Sequence, residues 1–506
     1  MLRRTALVLA IAAAAATIAP AASAHEGPAA HPLLGEFAQS LVGFHPTARS
    51  VSRELEIVGV ANPREDSNGN VWAHRGYAYM ASYGSRGSSC GSGIRVFDLS
   101  NPRRPRRVAS FGRADSNPLL DGAYTDQVRI QQARTPSFRG DLAAVGLQRC
   151  RAPFDGTGGT RGFALYDVTK PARPQLLSIV STLPVNGSHE LWLQAVGNRV
   201  YLYTALPRAE LQGSPDGITP GNPDFRIYDV SDPRRPRQVG QWGIWADLGI
   251  KPTRNQFVHS VMTNRSATRA YLSYWEFGTV IVDISNPTAP LFVSRVLDPQ
   301  QTEAPHAHSA ALAAGGRILV ETQEFGRFFN FHGTGYPRFY DLSNEREPRP
   351  ISIFVPPGTE TSTAHDPKVV GNRLYLSWYD EGVYVLDIRF PRFPREIGHL
   401  VPGAGRNSGN SFCPNCTFVW GIYPYGDYFL ASDMNTGLWV FKVRCTVPNV
   451  RGLSLARAKA ALAEADCRTG RVVRASRRAR GGRVVAQRPG PGARPRFPAA
   501  VRLTVS

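Results

Sequence analysis

Four of the eleven histidines, His189, His259, His308 and His365, recur at one phase of a repeated pattern, each eight to ten residues before an arginine that opens a strand-like run. Imidazoles gathered from separate segments can ligate zinc, copper or iron, and crowding would keep them neutral at pH 7. Glu190, Asp366, His306, Glu276, Glu324, Asp380 and Glu381 fall in adjoining segments and would complete a ligand or substrate-binding set. The same recurrence also fits a histidine that merely bonds neighbouring strands together. Structural anchoring is the first expectation, and a transition-metal or substrate site the second.

What must position these side chains is a repeated unit, visible in RVFDLSNPRRP, ALYDVTKPARP, RIYDVSDPRRP, VIVDISNPTAP, RFYDLSNEREP and YVLDIRFPRFP. Their aspartates, Asp98, Asp167, Asp229, Asp283, Asp341 and Asp387, lie 46 to 69 residues apart. The shorter intervals approach the ~40–50 residues of a four-stranded propeller blade. A second strand precedes each copy, as in NRVYLYT, TRAYLSY, GRILVET and NRLYLSW. Both strands are rich in Val, Ile, Leu and Tyr, as strands covered on two faces should be. The corner follows from Asp and Ser, which bond to nearby backbone in turns, and from Pro, which fixes φ for the bend.

A seventh copy, GLWVFKV, has Lys442 in place of the aspartate and no outer strand, and RELEIVGVANP near the start resembles the missing piece. The expectation is a mainly β fold: a seven-bladed β-propeller over 51–444, closed by pairing of residues 53–61 with 438–443, since closure removes exposed edges. The repeat, carried by VIVDISNPTAP and its relatives, resembles the LVIVD repeat of bacterial and archaeal surface proteins, which implies an extracellular β-propeller without a settled activity. Short turns trim one face of the ring. The long connections 84–93, 147–162, 205–224 and 322–337 would gather with the histidines on the other, the expected binding face.

From Cys445 the texture changes. Ser454 can cap a helix on which Leu455, Ala458, Leu462 and Ala465 recur, and short strands follow. VPNVRGLSLARAKAAL and QRPGPGARPRFPAAVRLTV resemble a PASTA domain, a small α+β module over 445–506 that the resemblance associates with peptidoglycan or its fragments. The segment carries fourteen arginines and lysines against Glu464 and Asp466. Arg471, Arg474, Arg477, Arg478, Arg480 and Arg483 would favour an anionic envelope polymer in a salt-dependent way.

The N-terminus reads as an export signal over 1–24, with MLRR, an apolar run from Leu7 to Ile18 and the small-residue pattern Ala22-Ser23-Ala24; an extension, 25–50, leads into the propeller. No other apolar run is long enough for a membrane span. The formal charge is +20, but only five of the 59 basic residues are lysines, and an exported protein is a poor partner for nucleic acid. Six cysteines in that compartment predict three disulfides: Cys90–Cys150 between long loops of consecutive blades, Cys413–Cys416 within SFCPNCTF, and Cys445–Cys467 around the C-terminal helix.

Two functional readings follow. The first is a secreted, cell-envelope-associated binding or scaffold protein, whose propeller face takes an unknown ligand while the basic module associates with the wall. The second is a secreted metalloenzyme using the histidine ring, motivated by a distant resemblance to the selenium-binding, methanethiol oxidase type of propeller.

Overall fold

A computed structural model of the chain describes residues 52, 54–63, 67–84, 93–113, 117–120, 123–149, 161–182, 187–301, 304–324, 335–356, 362–405, 413–476, 482–495 and 500–506. The expected export signal, the 25–50 extension, the Cys90–Cys150 pair, and Arg477, Arg478 and Arg480 lie outside these residues.

The corner chemistry sets the repeat. In all six aspartate copies Oδ1 accepts the backbone N–H two residues on: Asp98 from Ser100, Asp167 from Thr169, Asp229 from Ser231, Asp283 from Ser285, Asp341 from Ser343 and Asp387 from Arg389, at 2.8–2.9 Å. Each bond folds the chain back after an inner strand, and the next strand then returns antiparallel beside it. The fourth repeat illustrates the result, with Ser260–Thr263, Arg269–Ser273, Thr279–Asp283 and Leu291–Val296 hydrogen-bonded in sequence order. Its third strand is buried except at Asp283, while the fourth alternates toward solvent.

Among the described residues the fold is mainly β, with seven antiparallel sheets, six of four strands and one of five, and a three-stranded sheet at the C-terminus. The seventh takes its outer strand from the other end of the chain. Leu55–Ala61 lies antiparallel to Gly437–Val443, with Leu55 opposite Val443 and Ala61 opposite Leu438. The replaced aspartate has a local reason here, because Lys442 faces Glu56 across that pair.

The outer strand of every one of the seven sheets carries one bulge at the same place, between Ile57 and Gly59 in the N-terminal strand and between Ile281 and Val282 opposite the fourth sheet's outer strand. Residues at the bulge meet the corner of the next sheet. Ser178 donates its hydroxyl to the Pro233 carbonyl, Ser294 to that of Glu345 and Ser352 to that of Pro391. Where glycine stands instead, the approach is too close for a side chain. A Cβ on Gly240 would come well inside 3.0 Å of the Pro287 carbonyl oxygen, and one on Gly59 would meet that of Pro102. The first strands also touch in series from sheet to sheet, and Val419–Tyr425 of the seventh returns to Ser67–His74 of the first.

Of the long connections, 205–224 is anchored from within. Asp224 accepts the Glu210 N–H at 2.9 Å and the Val258 N–H at 3.2 Å, and the Glu210 carboxylate accepts Trp245 and Ala246 N–H groups at 3.2 and 2.9 Å. Burial, reinforced by Glu210, raises Asp224 to about 8. These acids tie a loop down.

In the C-terminal module Ser454 caps the helix Leu455–Glu464, accepting the Arg457 N–H. Ala458 and Leu462 of that helix pack with Val447, Val450, Val484, Val501 and Leu503. Cys445 and Cys467 are joined by a disulfide, as are Cys413 and Cys416. Arg373 pairs with Asp466 and donates to the Glu464 carbonyl, and Arg494 lies 3.3 Å from Glu54, so the module touches the sixth and seventh sheets.

Candidate functional site

His189 precedes the first strand of the third sheet, His259 that of the fourth and His365 that of the sixth, while His308 lies within that of the fifth. This shared phase brings all four together. Their rings stand in one file with centroids 4.3, 4.2 and 4.2 Å apart, and Trp420 of the seventh sheet extends it 4.4 Å beyond His365. All five are buried.

The backbone orders the file. His259 Nδ1 lies 3.2 Å from the His308 carbonyl, His308 Nδ1 lies 3.0 Å from that of His365, and His365 Nδ1 lies 2.6 Å from that of Trp420. Each of these three imidazoles thus bonds its sheet to the next. A carbonyl oxygen can only accept, so these Nδ1 atoms carry protons. His189 is turned the other way. Tyr124 donates to Gln148 Oε1 at 2.9 Å, which leaves the Gln148 amide to donate to His189 Nδ1 at 2.7 Å. His189 Nε2–H then donates to His259 Nε2 at 2.8 Å.

Of the acidic candidates, Glu324 alone joins the file, with Oε2 3.6 Å from His308 Nε2 and Oε1 accepting from the Tyr379 hydroxyl. Burial raises it to about 7, opposed by His365 and the tyrosine bond. A ring nitrogen from each of His259 and His308 and a Glu324 oxygen lie within 4.8 Å of one another. Glu276 and His306 form a separate pair at 3.6 Å, with the His306 ring beside Trp275; burial lowers His306 to about 4. Asp380 accepts from the Ser362 hydroxyl.

Glu190 and Asp366 belong to a different layer. Glu190 accepts from Gln127 at 3.1 Å and lies 3.7 Å from Arg129, and Asp366 pairs with Lys368. Burial raises Glu190 to about 7, lowers Lys368, and with the charge of Glu190 raises Asp126 well above the carboxylate range.

Three to four residues further along the same first strands, roughly 10 to 13 Å at ~3.3 Å per residue, lies a feature that sequence reasoning missed. A cavity of about 360 Å³ is lined by Trp72, Trp192, Met262, Leu312, Lys368 and Tyr423, among others. Trp72 is 4.4 Å from Tyr423 and 6.3 Å from Trp192, and the Arg129 guanidinium stacks over it at 5.1 Å. No repeated residue marks these positions, so only the ring-like succession of first strands could have grouped them.

In the C-terminal module Arg471, Arg474 and Arg483 are exposed, and Arg483 also donates to the Gly452 carbonyl. No helix among the described residues is long and apolar enough to cross a membrane.

Comparison with known families assigns the two textures of the chain. Residues 446–506 match the model of the PASTA domain, and residues 270–298, spanning the last three strands of the fourth sheet, match that of the LVIVD repeat. No curated protein matches the sequence. Among solved structures, the chain is similar to the crystal structure of Chaetomium thermophilum Raptor, with a TM-score of 0.49, 13% identity, and coverage of 76% of this chain and 29% of that one. It is also similar to the computationally designed Ika8 protein, with a TM-score of 0.43, 8% identity, and coverage of 77% and 99%. The chain thus spans under a third of the Raptor chain.

Proposed function

We propose that this is a secreted, cell-envelope-associated binding protein, exported by residues 1–24, in which seven sheets close as the blades of a β-propeller and the PASTA domain associates with peptidoglycan or an anionic wall polymer. The pairing of Leu55–Ala61 with Gly437–Val443, the serial contact of first strands and the Gly59–Pro102 junction support closure. The observation that carries the wall role is the match of 446–506 to the PASTA domain, on a module with exposed Arg471, Arg474 and Arg483. The aromatic cavity with Lys368, rather than the long-loop face, is the favoured place for the propeller's ligand, because it combines apolar walls with a polar group that can fix orientation.

Sedimentation with purified cell wall tests the wall role. The full chain is expected to be retained, with retention falling as salt rises, and a chain ending at residue 444 to remain in solution; equal retention of both removes the PASTA role. A second reading, a secreted metalloenzyme, is favoured by the buried histidine file facing Glu324.

A further inference from the structure

We propose that the histidine file binds one divalent first-row transition-metal ion, held by His259 Nε2, His308 Nε2 and a Glu324 oxygen. This deepens the metalloenzyme reading by naming its ligand set, and it is independent of the wall role.

The geometry points to an ion on three counts. A ring nitrogen from each histidine and a Glu324 oxygen come from three separate segments and lie within 4.8 Å of one another, so a modest contraction brings them to the ~2.0–2.2 Å bonds that imidazole and carboxylate make to zinc. The rings are already oriented, because Nδ1 of His259 and of His308 bonds the carbonyl of His308 and of His365, which makes Nε2 the ligand nitrogen of each. Metal-bound histidines are held in the same way, with the second ring nitrogen donating to a carbonyl or carboxylate, so the strand-bonding role and the ligand role reinforce each other. Finally, His308 Nε2 lies 3.6 Å from a Glu324 oxygen in a buried setting. Two imidazoles with a carboxylate suit zinc or iron better than magnesium or calcium.

The neighbours have distinct parts. Tyr379 orients Glu324 through its hydroxyl. His189 Nε2–H donates to the same His259 nitrogen that the ion needs, so uptake of the ion must break this 2.8 Å bond. His365, pinned to the Trp420 carbonyl, stands next in line along the file.

The test is zinc titration by calorimetry on the full chain, purified without a polyhistidine tag and stripped of metal. The expected result is one zinc per chain, with at least tenfold weaker binding in Glu324→Gln, which keeps the side chain's shape and its bond to Tyr379. His308→Ala is expected to lose binding more completely. Because His308 also bonds two sheets, circular dichroism and the thermal midpoint accompany that variant, and Glu324→Gln decides the matter if His308→Ala does not fold. Binding of less than one zinc per chain, or an affinity within tenfold of the parent in Glu324→Gln, overturns the proposal. Stoichiometric zinc without any turnover would keep the ion site and remove the enzyme reading.

Discussion

Gly59→Ala tests whether the N-terminal strand is a full partner of the seventh sheet or only leans on its edge. The added methyl would sit well inside 3.0 Å of the Pro102 carbonyl oxygen, and the neighbouring Arg103 backbone also comes within 3.0 Å. Neither obstacle is a flexible side-chain tip, so the strand or the corner must shift. Overpacking of this kind costs about 1–3 kcal/mol, lowering the midpoint by no more than about 2–4 °C for each kcal/mol in a chain this long. Gly240→Ala is the internal standard, since it makes the same clash with Pro287 at a junction formed by consecutive sheets. If 55–61 completes the ring, the two variants lose similar stability in calorimetry, and amide exchange rises across 55–61 and 437–443 in Gly59→Ala. A Gly59→Ala protein with unchanged midpoint and exchange, beside a destabilised Gly240→Ala, would refute the reasoning.

Three further outcomes are expected. Because burial raises Asp224 to about 8 in the fold against 3.8 for an ordinary aspartate, the unfolded chain releases its proton first, so this group's contribution is fully present below pH 3.8 and is lost as pH rises toward 8; chemical denaturation across that window should show a shallower decline in Asp224→Asn. Removing the Cys445–Cys467 bond, which spans 22 residues, should cost the C-terminal module about 3 kcal/mol through loop entropy, seen as earlier unfolding of that module with the main transition unmoved. Arg373→Ala should loosen the same module, by about 1 kcal/mol or less for a partly exposed pair, read as faster exchange in the helix Leu455–Glu464.

Much of the architecture was legible because the repeat is written in residues whose chemistry is local. Asp283 and Ser285 close their turn with a bond two residues long, and the same bond recurs at Asp98, Asp167, Asp229, Asp341 and Asp387 whatever surrounds them. The likeness of RELEIVGVANP to an outer strand was readable for the same reason, extending to the bulge before Gly59. That the four histidines share one phase of the repeat was readable directly. Which acid would meet them was not, because Glu190 and Asp366 directly follow His189 and His365, yet Glu324, sixteen residues beyond His308, is the one that lies across from it. Trp420 was missed since it holds the histidine's phase without sharing its chemistry, contributing a carbonyl that any residue could supply. The cavity was hidden more deeply: Trp72, Trp192 and Tyr423 come from strands with no common signature.

The union of Leu55–Ala61 with Gly437–Val443 also governs when the molecule can be finished. A chain emerging from its N-terminus presents one of its earliest strands nearly four hundred residues before the partner exists, so that segment must wait while six sheets assemble behind it. Anything that guards an apolar ribbon during this interval, or shortens it, would raise the yield of folded protein without touching the stability of the finished one.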